Sequence, residues 1–337
     1  MYKRQELVLL AEDGGFFGSI EKPIAYKVNG KCWVNNHAHV LRAKRDIIDV
    51  DWLHLSLAIR PDIIQFVSGT TRPKLTQEQA SLIPILLPPL SVQRRIATKI
   101  QKLMQEVERA RDACENQLSA VKALPSAYLR EVFESESAKK WERKRLEELF
   151  TFQQGAAMSP KRRQGISPHY FLRTLNVMWG KLDLSTLDKM DFTDEEISKL
   201  SLKPGDLLIC EGGEVGRTAI WKGEIDICLH QNHVHRLRKL QDNVIPEFYM
   251  YWMQAAFQVF KLYSGQASET TIPNLSIGKL KSFLVPFPPL DTQHHIAFYL
   301  QEKMAYVDKL RTSIEKQLET INALPQAILR KAFRGKL

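Results

Sequence analysis

The chain has 337 residues, 44% of them apolar and 26% charged, with a formal net charge of +10. That length allows two domains with cores of their own, and the absence of any run of 18 apolar residues excludes a helical membrane span. The basic excess favours a polyanionic partner, and the clusters Lys139-Lys140, Arg143-Lys144-Arg145, Lys161-Arg162-Arg163 and Arg330-Lys331 with Arg334 and Lys336 point to nucleic acid.

The N-terminus, Met1 to Glu6, leads into a short strand-like run rather than the apolar core of a cleavable signal, so a cytoplasmic location is expected. Gly14-Gly15-Phe16-Phe17-Gly18, Asn35 to Arg42, Ser68-Gly69 and Pro73-Lys74-Leu75 follow in the first block. Pro88-Pro89-Leu90-Ser91 then opens a helix. Its apolar positions, Val92, Ile96, Ile100, Leu103, Val107, Ala110, Cys114, Leu118 and Val121, step mostly by alternating fours and threes, the repeat of a coiled-coil seam. Ser91 is the expected N-cap. Pro125 is expected to break or kink the helix, with a short amphipathic turn from Ala127 to Phe133 beyond it. From Ser91 to Leu124 the helix would run about 50 Å at ~1.5 Å per residue.

Residues 141–287 form a larger block with strand-like runs at Tyr170 to Val177 and Asp206 to Cys210, bounded by turns such as Lys203-Pro204-Gly205 and Gly212-Gly213. A helix is expected from Pro246 to Tyr263. Pro288-Pro289-Leu290-Asp291 then opens a second long helix with its own seam: Ile296, Leu300, Met304, Val307, Leu310, Ile314, Leu318 and Ile321. Asp291 is its expected N-cap, and Pro325 its expected break.

The second helix repeats the first at an offset of 200 residues without a gap, and about 20 of the 46 paired positions are identical. The blocks before the helices echo one another too. Asn35 to Arg42 matches Gln231 to Arg238, Gly14 to Gly18 matches Gly212 to Gly216, Ser68-Gly69 matches Ser264-Gly265, and Pro73 to Leu75 matches Pro273 to Leu275. A repeat of this length dictates architecture, and two copies make a pseudo-two-fold molecule rather than a solenoid. The expected fold class is α+β: two mixed α/β domains, each followed by a long helix, the helices pairing as an antiparallel coiled coil. The domain boundaries are 1–87, helix 88–134, linker 135–140, 141–287 and helix 288–337. Trp141 to Ser198 has no counterpart in the first copy, so the first domain reads as cut at its front: shortened, or completed by another chain.

Enzymatic readings find little support. Leu87-Pro88-Pro89-Leu90 lacks the polar and aromatic residues with which an adenine methyltransferase holds a flipped base. No G-x-x-x-x-G-K-[ST] loop exists, and Gly212 to Arg217 lacks its lysine. A nuclease site drawn from Asp206 and Glu211 is weakened by the repeat, which sets Val8 at the position of Asp206 and Asp13 at that of Glu211. His230, His233 and His235 could ligate a metal, but on a strand only His233 and His235 would share a face. His294-His295 replaces Arg94-Arg95 at a helix start, where exposure or partner contact is the simpler reading. Cys32, Cys114, Cys210 and Cys228 form no C-x-x-C pair, and read as structural thiols.

On two motifs the chain resembles the specificity subunits of type I restriction–modification systems. Pro-Pro-Leu-x-x-Gln-x-x-Ile-Ala at 88–97 and 288–297 looks like the opening of that family's conserved helix. Leu-Pro-x-Ala-x-Leu-Arg-x-x-Phe at 124–133 and 324–333 looks like its close. Tyr170 to Val177 with Gly180, and the terminal Phe333 to Leu337, add to the likeness. The resemblance implies a non-catalytic reader of double-stranded DNA, without cofactor or metal. Each recognition domain would bind one half of a bipartite target, and the helices would set the gap. Two methyltransferase subunits would dock on it, with restriction and translocase subunits joining the full complex. The alternative is a truncated subunit that reads one half-site, as a homodimer or a spare cassette.

Loops should carry base contacts and rim cations should grip phosphate. In the second domain the candidates are Lys161, Arg162, Arg163, Gln164, Arg173, Asn176, Arg217, Asn232, His233, Gln266, Ser268, Thr270 and Thr271. In the first they are Asn36, His37, Thr70 and Arg72. Arginine on guanine and asparagine or glutamine on adenine are the natural major-groove pairs. Residues shared by both copies suit scaffold or phosphate contacts better than sequence choice. The candidate partner seam comprises Ile96, Ile100, Leu103, Val107, Leu118, Val121, Ile296, Leu300, Met304, Val307, Ile314, Leu318 and Ile321.

Overall fold

The computed structural model describes residues 6–19, 22–69, 72–262, 275–334 and 336–337. In chain order the first part holds β1 (Leu7–Ala11), β2 (Ala25–Val28), β3 (Ala38–Leu41), α1 (Val50–Ala58), α2 (Gln77–Ser81) and α3 (Leu90–Phe133). There follow β4 (Glu142–Arg145), α4 (Leu146–Leu149), β5 (Phe150–Gln154), α5 (Pro160–Arg163), β6 (Pro168–Leu172), β7 (Asp188–Asp191) and α6 (Asp194–Leu200). Last come β8 (Leu207–Cys210), β9 (Thr218–Ile220), β10 (Cys228–His230), β11 (Val234–Lys239), α7 (Pro246–Gln254), α8 (Ile277–Lys281), β12 (Leu284–Phe287) and α9 (Leu290–Phe333). Two compact units divide the chain: Met1–Ser119 with Thr312–Leu337, and Ala120–Arg311.

In the first unit, β1 lies between β2 and β3, antiparallel to both. The apolar face of this sheet, with Val8 and Leu10, packs on Leu53 and Leu57 of α1 and on Ile63, Leu75 and Ile83. Asp49 caps α1 by accepting the N–H groups of Asp51 and Trp52. In the second unit the corresponding sheet runs β5-β11-β8-β9, all antiparallel, beside a three-stranded sheet β10-β6-β7 and the pair β12-β4. Its main core gathers Leu146, Leu149 and Phe150 with Phe248, Tyr249, Met253, Leu280, Phe283 and Val285.

Strand register corrects the alignment of the copies by one residue. Leu10 faces His39 across β1–β3, and Ile209 faces His235 across β8–β11. Glu12 rather than Asp13 therefore has the backbone place of Glu211, and Leu7 rather than Val8 that of Asp206. The backbone bonds agree: Glu12 N–H donates to the His37 carbonyl, and Glu211 N–H donates to the His233 carbonyl.

Both long helices are continuous 44-residue elements with Pro125 and Pro325 inside them, which overturns the expected break and separate short turn. A proline inside a helix costs ~3 kcal/mol. Beyond each one, however, the helix continues into a core. Leu129 and Phe133 are buried in the second unit, and Leu329 and Ala332 in the first. At roughly 1.5–3 kcal/mol per buried large side chain, that burial offsets the proline.

Ser91 and Asp291 are not the N-caps. Each helix begins one residue earlier, and the Pro89 carbonyl accepts from Val92 and Gln93, as Pro289 does from Gln293. The reason is the glutamine. Gln93 is fully buried; its Nε2 donates to the carbonyls of Pro88 (2.7 Å) and Ile47 (3.1 Å), and its Oε1 accepts from Asp49 N–H at 2.9 Å. Gln293 repeats the arrangement on Pro288 (2.9 Å), Asn243 (3.1 Å) and Ile245 N–H (3.0 Å). Each glutamine thus ties the helix start to the block before it.

The seam is buried at seven-residue intervals: Ile100, Val107, Cys114 and Val121 on α3, with Leu300, Val307 and Ile314 on α9. Ile296 is buried as well, while Ile96, Leu103, Leu118, Met304, Leu318 and Ile321 are half-buried. Within the first unit Arg111 donates to Asn322 at 3.0 Å and the Cys114 thiol meets the Ile314 carbonyl. Within the second, the Tyr299 hydroxyl meets Glu131. Rising numbers on one helix meet falling numbers on the other, so the segments run antiparallel in each unit.

The closing phenylalanines repeat one contact. Phe333 packs on Trp52 with ring centroids 5.1 Å apart, and Phe133 packs on Phe248 at 5.6 Å. Burial raises the thiols of Cys210 and Cys228 to about 11 and about 12, which makes them inert at neutral pH.

Candidate nucleic-acid interface

The candidates of the second unit gather around two strands. α5 is a single turn, capped by Ser159 and opened by Pro160, that presents Lys161, Arg163 and Gln164 at the surface. The loop after it is held by Asp191, whose carboxylate accepts Ile166 N–H (3.0 Å) and Ser167 N–H (3.1 Å). Gly165 is required there, because a Cβ would fall 1.5 Å from an Asp191 oxygen. The loop leaves Ile166 100% exposed at its tip.

Arginines are fixed behind this tip. Arg162 donates to Glu196 at 2.5 Å and to the Asp191 carbonyl at 3.0 Å. Arg163 and Arg173 share the Asp188 carboxylate, Arg173 at 3.3 Å. Arg217 donates to the Thr174 carbonyl at 2.8 Å. Arg163 and Arg173 are thus oriented by Asp188 and Arg217 by the Thr174 backbone carbonyl, while Lys161 stands exposed on α5. Arg162, half-buried and bonded on several sides, serves this scaffold.

Asn176 has a different employment from the base contact expected of it. It is fully buried, accepts Arg173 N–H at 2.9 Å, and donates to the carbonyls of Asp183 (2.9 Å) and Thr186 (3.2 Å). This amide also ends β6 at Leu172, since it holds Thr174–Asn176 in a 3₁₀ turn where the sequence suggested a strand to Val177. The expected helix to Tyr263 likewise stops at Gln254 and passes into a π turn, Ala255–Val259; Tyr263 itself lies outside the described residues.

A second grouping recurs in both units. His233 Nδ1 lies 3.1 Å from Glu211 Oε2, and His235 Nε2 lies 3.1 Å from the Leu275 carbonyl. In the first unit His37 Nδ1 lies 2.9 Å from Asp13 Oδ1, and His39 Nε2 lies 2.6 Å from the Leu75 carbonyl. Arg72 adds a 3.3 Å contact to Asp13. Desolvation opposes ionisation of Asp13, but the bond from His37 and the charge of Arg72 outweigh it, and its pKa lies below the ordinary value. His37 and His233 are exposed, Asn36 is exposed beside His37, and Asn232 is half-buried with its carbonyl accepting from Gln154.

The groups considered for catalysis are otherwise engaged. Asp206 is buried and takes both Nε and Nη2 of Arg238 at 2.7 Å. His230 is buried against the Val234 carbonyl, and burial lowers it to about 3. His230, His233 and His235 thus have three separate partners, and among the described residues no cluster of three or more ligating side chains could hold a metal. Gln266, Ser268, Thr270, Thr271 and Thr70 lie outside the described residues. The sequence reading passed over Asp188, which orients two arginines, and the Ile166 tip. Neither has a local signature, since both depend on how β6 and β7 pair.

The family described as type I restriction modification DNA specificity domain matches residues 16–114 and 138–322, and the chain belongs to it. It is 24% identical to the EcoKI specificity subunit of Escherichia coli K12 over 98% of this chain and 75% of that protein. It is 28% identical to a putative type I specificity subunit of Haemophilus influenzae over 88% of this chain and 74% of the relative. Among solved structures, a chain from an assembly study of the type I restriction–modification system superposes with a TM-score of 0.73. The identity is 22%, over 98% of this chain and 82% of that one. The HsdS subunit of Thermoanaerobacter tengcongensis gives 0.61 at 24% identity, covering 89% and 74%. At these identities the structural likeness carries the fold.

Proposed function

We propose that this chain reads DNA for a type I restriction–modification complex and performs no chemistry itself. The observation that carries the reading is the set Arg163, Arg173 and Arg217 in the second unit, pre-oriented by Asp188 and the Thr174 carbonyl, with Lys161 exposed on α5. Guanidinium groups held in place lose little freedom on binding, and suit both phosphate oxygens and guanine edges. Ile166 at the loop tip is placed to meet a groove wall or a thymine methyl. His37 and His233, each fixed by a carboxylate in both units, suit positioning contacts shared by two half-sites. The recognition blocks are 1–87 and 141–287, and the two long helices set the gap between half-sites and receive methyltransferase subunits. Restriction subunits join that assembly in the cytoplasm.

The test is a footprint of the chain assembled with its methyltransferase on random-sequence duplexes. A bipartite footprint with unlike halves supports the reading. A footprint of one half-site supports a second reading, in which the second unit alone selects sequence. Binding that ignores salt between about 50 and 200 mM would defeat both, since contact with roughly 6–10 phosphates costs orders of magnitude in affinity over that range.

A further inference from the structure

Strands β8 and β9 of the second unit are joined by a hairpin whose glycines fix its path. Gly213 and Gly216 hold positive φ, +74° and +85°, which favours glycine. A Cβ on Gly216 would fall 2.6 Å from the Phe257 ring, so the loop lies close against the π turn. The Gly216 N–H donates to the Cys210 carbonyl at 3.0 Å, and the Arg217 N–H to the Glu214 carbonyl at 3.4 Å. Val215 packs inward on the main core, while Glu214 stands exposed.

Two bonds tie this hairpin to the segment that follows Arg173. Arg217 donates to the Thr174 carbonyl at 2.8 Å, and the Trp179 indole N–H donates to Glu214 Oε1 at 2.7 Å. Trp179 in turn packs on Phe257, with ring centroids 6.4 Å apart. The Glu214 carboxylate is thus held in one direction, three residues from Arg217, and among the described residues it forms no ion pair. A carboxylate beside DNA is repelled by phosphate, so it suits a DNA surface only where it meets a donor. In the major groove that donor is the cytosine N4 amino group. The adenine N6 amino group sits beside the N7 acceptor, which repels a carboxylate.

The first unit repeats the turn and changes the residue. Gly14 and Gly18 hold positive φ, the Ser19 N–H donates to the Phe16 carbonyl at 3.0 Å, and Phe17 packs inward as Val215 does. Phe16, which accepts no hydrogen bond through its side chain, therefore has the place of Glu214. Residues that build the turn are shared by the two copies, whereas residues that choose a base differ wherever the half-sites differ. On the reading of this chain as a DNA-binding subunit, we propose that Glu214 is a specificity-determining residue. It accepts from a cytosine N4 amino group in the half-site of the second unit, and Trp179 is its positioning residue.

The test selects bound duplexes from a random library with the chain assembled with its methyltransferase, and sequences them. The wild type is expected to require a C·G pair at one position. Glu214→Gln should weaken that preference roughly fivefold or more and raise adenine there, since glutamine pairs with N6 and N7. Glu214→Ala should remove the preference. Trp179→Phe, which keeps a ring and drops the N–H, should weaken it by less. All other positions should keep their preferences in each variant. An unchanged consensus in Glu214→Gln and Glu214→Ala overturns the assignment, as does a change at a pair other than C·G. So does an even loosening across the half-site, the mark of a residue that only supports its loop. A wild-type consensus in Trp179→Phe overturns the role given to Trp179. A wild type that selects no consensus at all overturns the DNA-reading function and this assignment with it, whereas a consensus indifferent to Glu214 defeats the assignment alone.

Discussion

The two units are built from the same parts, of which the described residues hold more in the second. Both start a long helix with a buried glutamine, both seat a closing phenylalanine on an aromatic ring of the recognition block, and both pair a histidine with a carboxylate. The second unit adds β4, α4 and β5 to its sheet and core, and adds β6, β7 and α6 as a platform for arginines. The first does its helix anchoring with a three-stranded sheet. The shared devices belong to the helices, and the difference falls on the surface proposed to read sequence.

The largest expected effect tests whether the aromatic anchors are equivalent. Phe133 is buried among Trp141, Phe248 and Trp252, so Phe133→Ala should cost ~3–5 kcal/mol in the second unit. Phe333 is half-buried on Trp52, and Phe333→Ala should cost roughly 1–2 kcal/mol in the first. Hydrogen exchange read separately in β8–β11 and β1–β3 measures each unit on its own, which a single melting curve would not. Equal losses would break the distinction drawn between them.

Next is the glutamine. Gln93→Leu and Gln293→Leu each leave two carbonyls and one N–H without their partner. At about 1–3 kcal/mol for a buried unpaired group, softened by water entry, ~2–4 kcal/mol per variant is expected. The loss should be alike in the two units because the geometry is. A markedly smaller loss for Gln93→Leu would mean that the first unit holds its helix loosely.

The third effect separates the units by pH. Burial puts His230 at about 3 when folded, against an ordinary value of 6.5. The unfolded chain therefore takes up the proton first as pH falls. Stability from this group is complete above about 6.5 and declines towards 3, by ~2 kcal/mol between pH 7.5 and 5. His235 is lowered in the same direction, again chiefly by burial. In the first unit Val34 stands at the position of His230, and His54 is depressed by burial, opposed by a bond to Ala25. Exchange protection should fall faster on acidification in β8–β11 than in β1–β3, and His230→Asn should remove much of the difference.

Periodicity and repetition made the helices, the duplicated domains and the seam legible, because heptads and offsets are local or self-referential signals. The break that proline rules allowed at Pro125 and Pro325 does not occur, since those rules weigh backbone geometry and know nothing of Phe133 in its pocket. The N-caps at Ser91 and Asp291 failed for the same reason: a glutamine three residues inside the helix outweighs a capping side chain when partners come from residues 44–50 positions away. The arginines were legible as charge, but their orientation was not. Asp188 sits 25 residues from Arg163 and 15 from Arg173, joined to them only through the β6–β7 pairing.

The smallest effect bears most directly on what the first unit does. Lys161 is exposed on α5 and Arg72 is exposed beside Asp13. If each grips one phosphate, Lys161→Ala and Arg72→Ala should each reduce affinity for all sequences alike. Each should also lower the slope of log K against log salt by about 0.9. Titration of the assembled complex on one duplex at several salt concentrations measures both. Equal slopes mean that the first unit still sits on DNA even where it selects no base. A loss for Lys161→Ala with none for Arg72→Ala would assign the whole interface to the second unit and leave the first as a holder of helices. That outcome would fit the distribution of the shared devices, since glutamine and phenylalanine anchors stand in both units while, among the described residues, the arginine platform lies in the second.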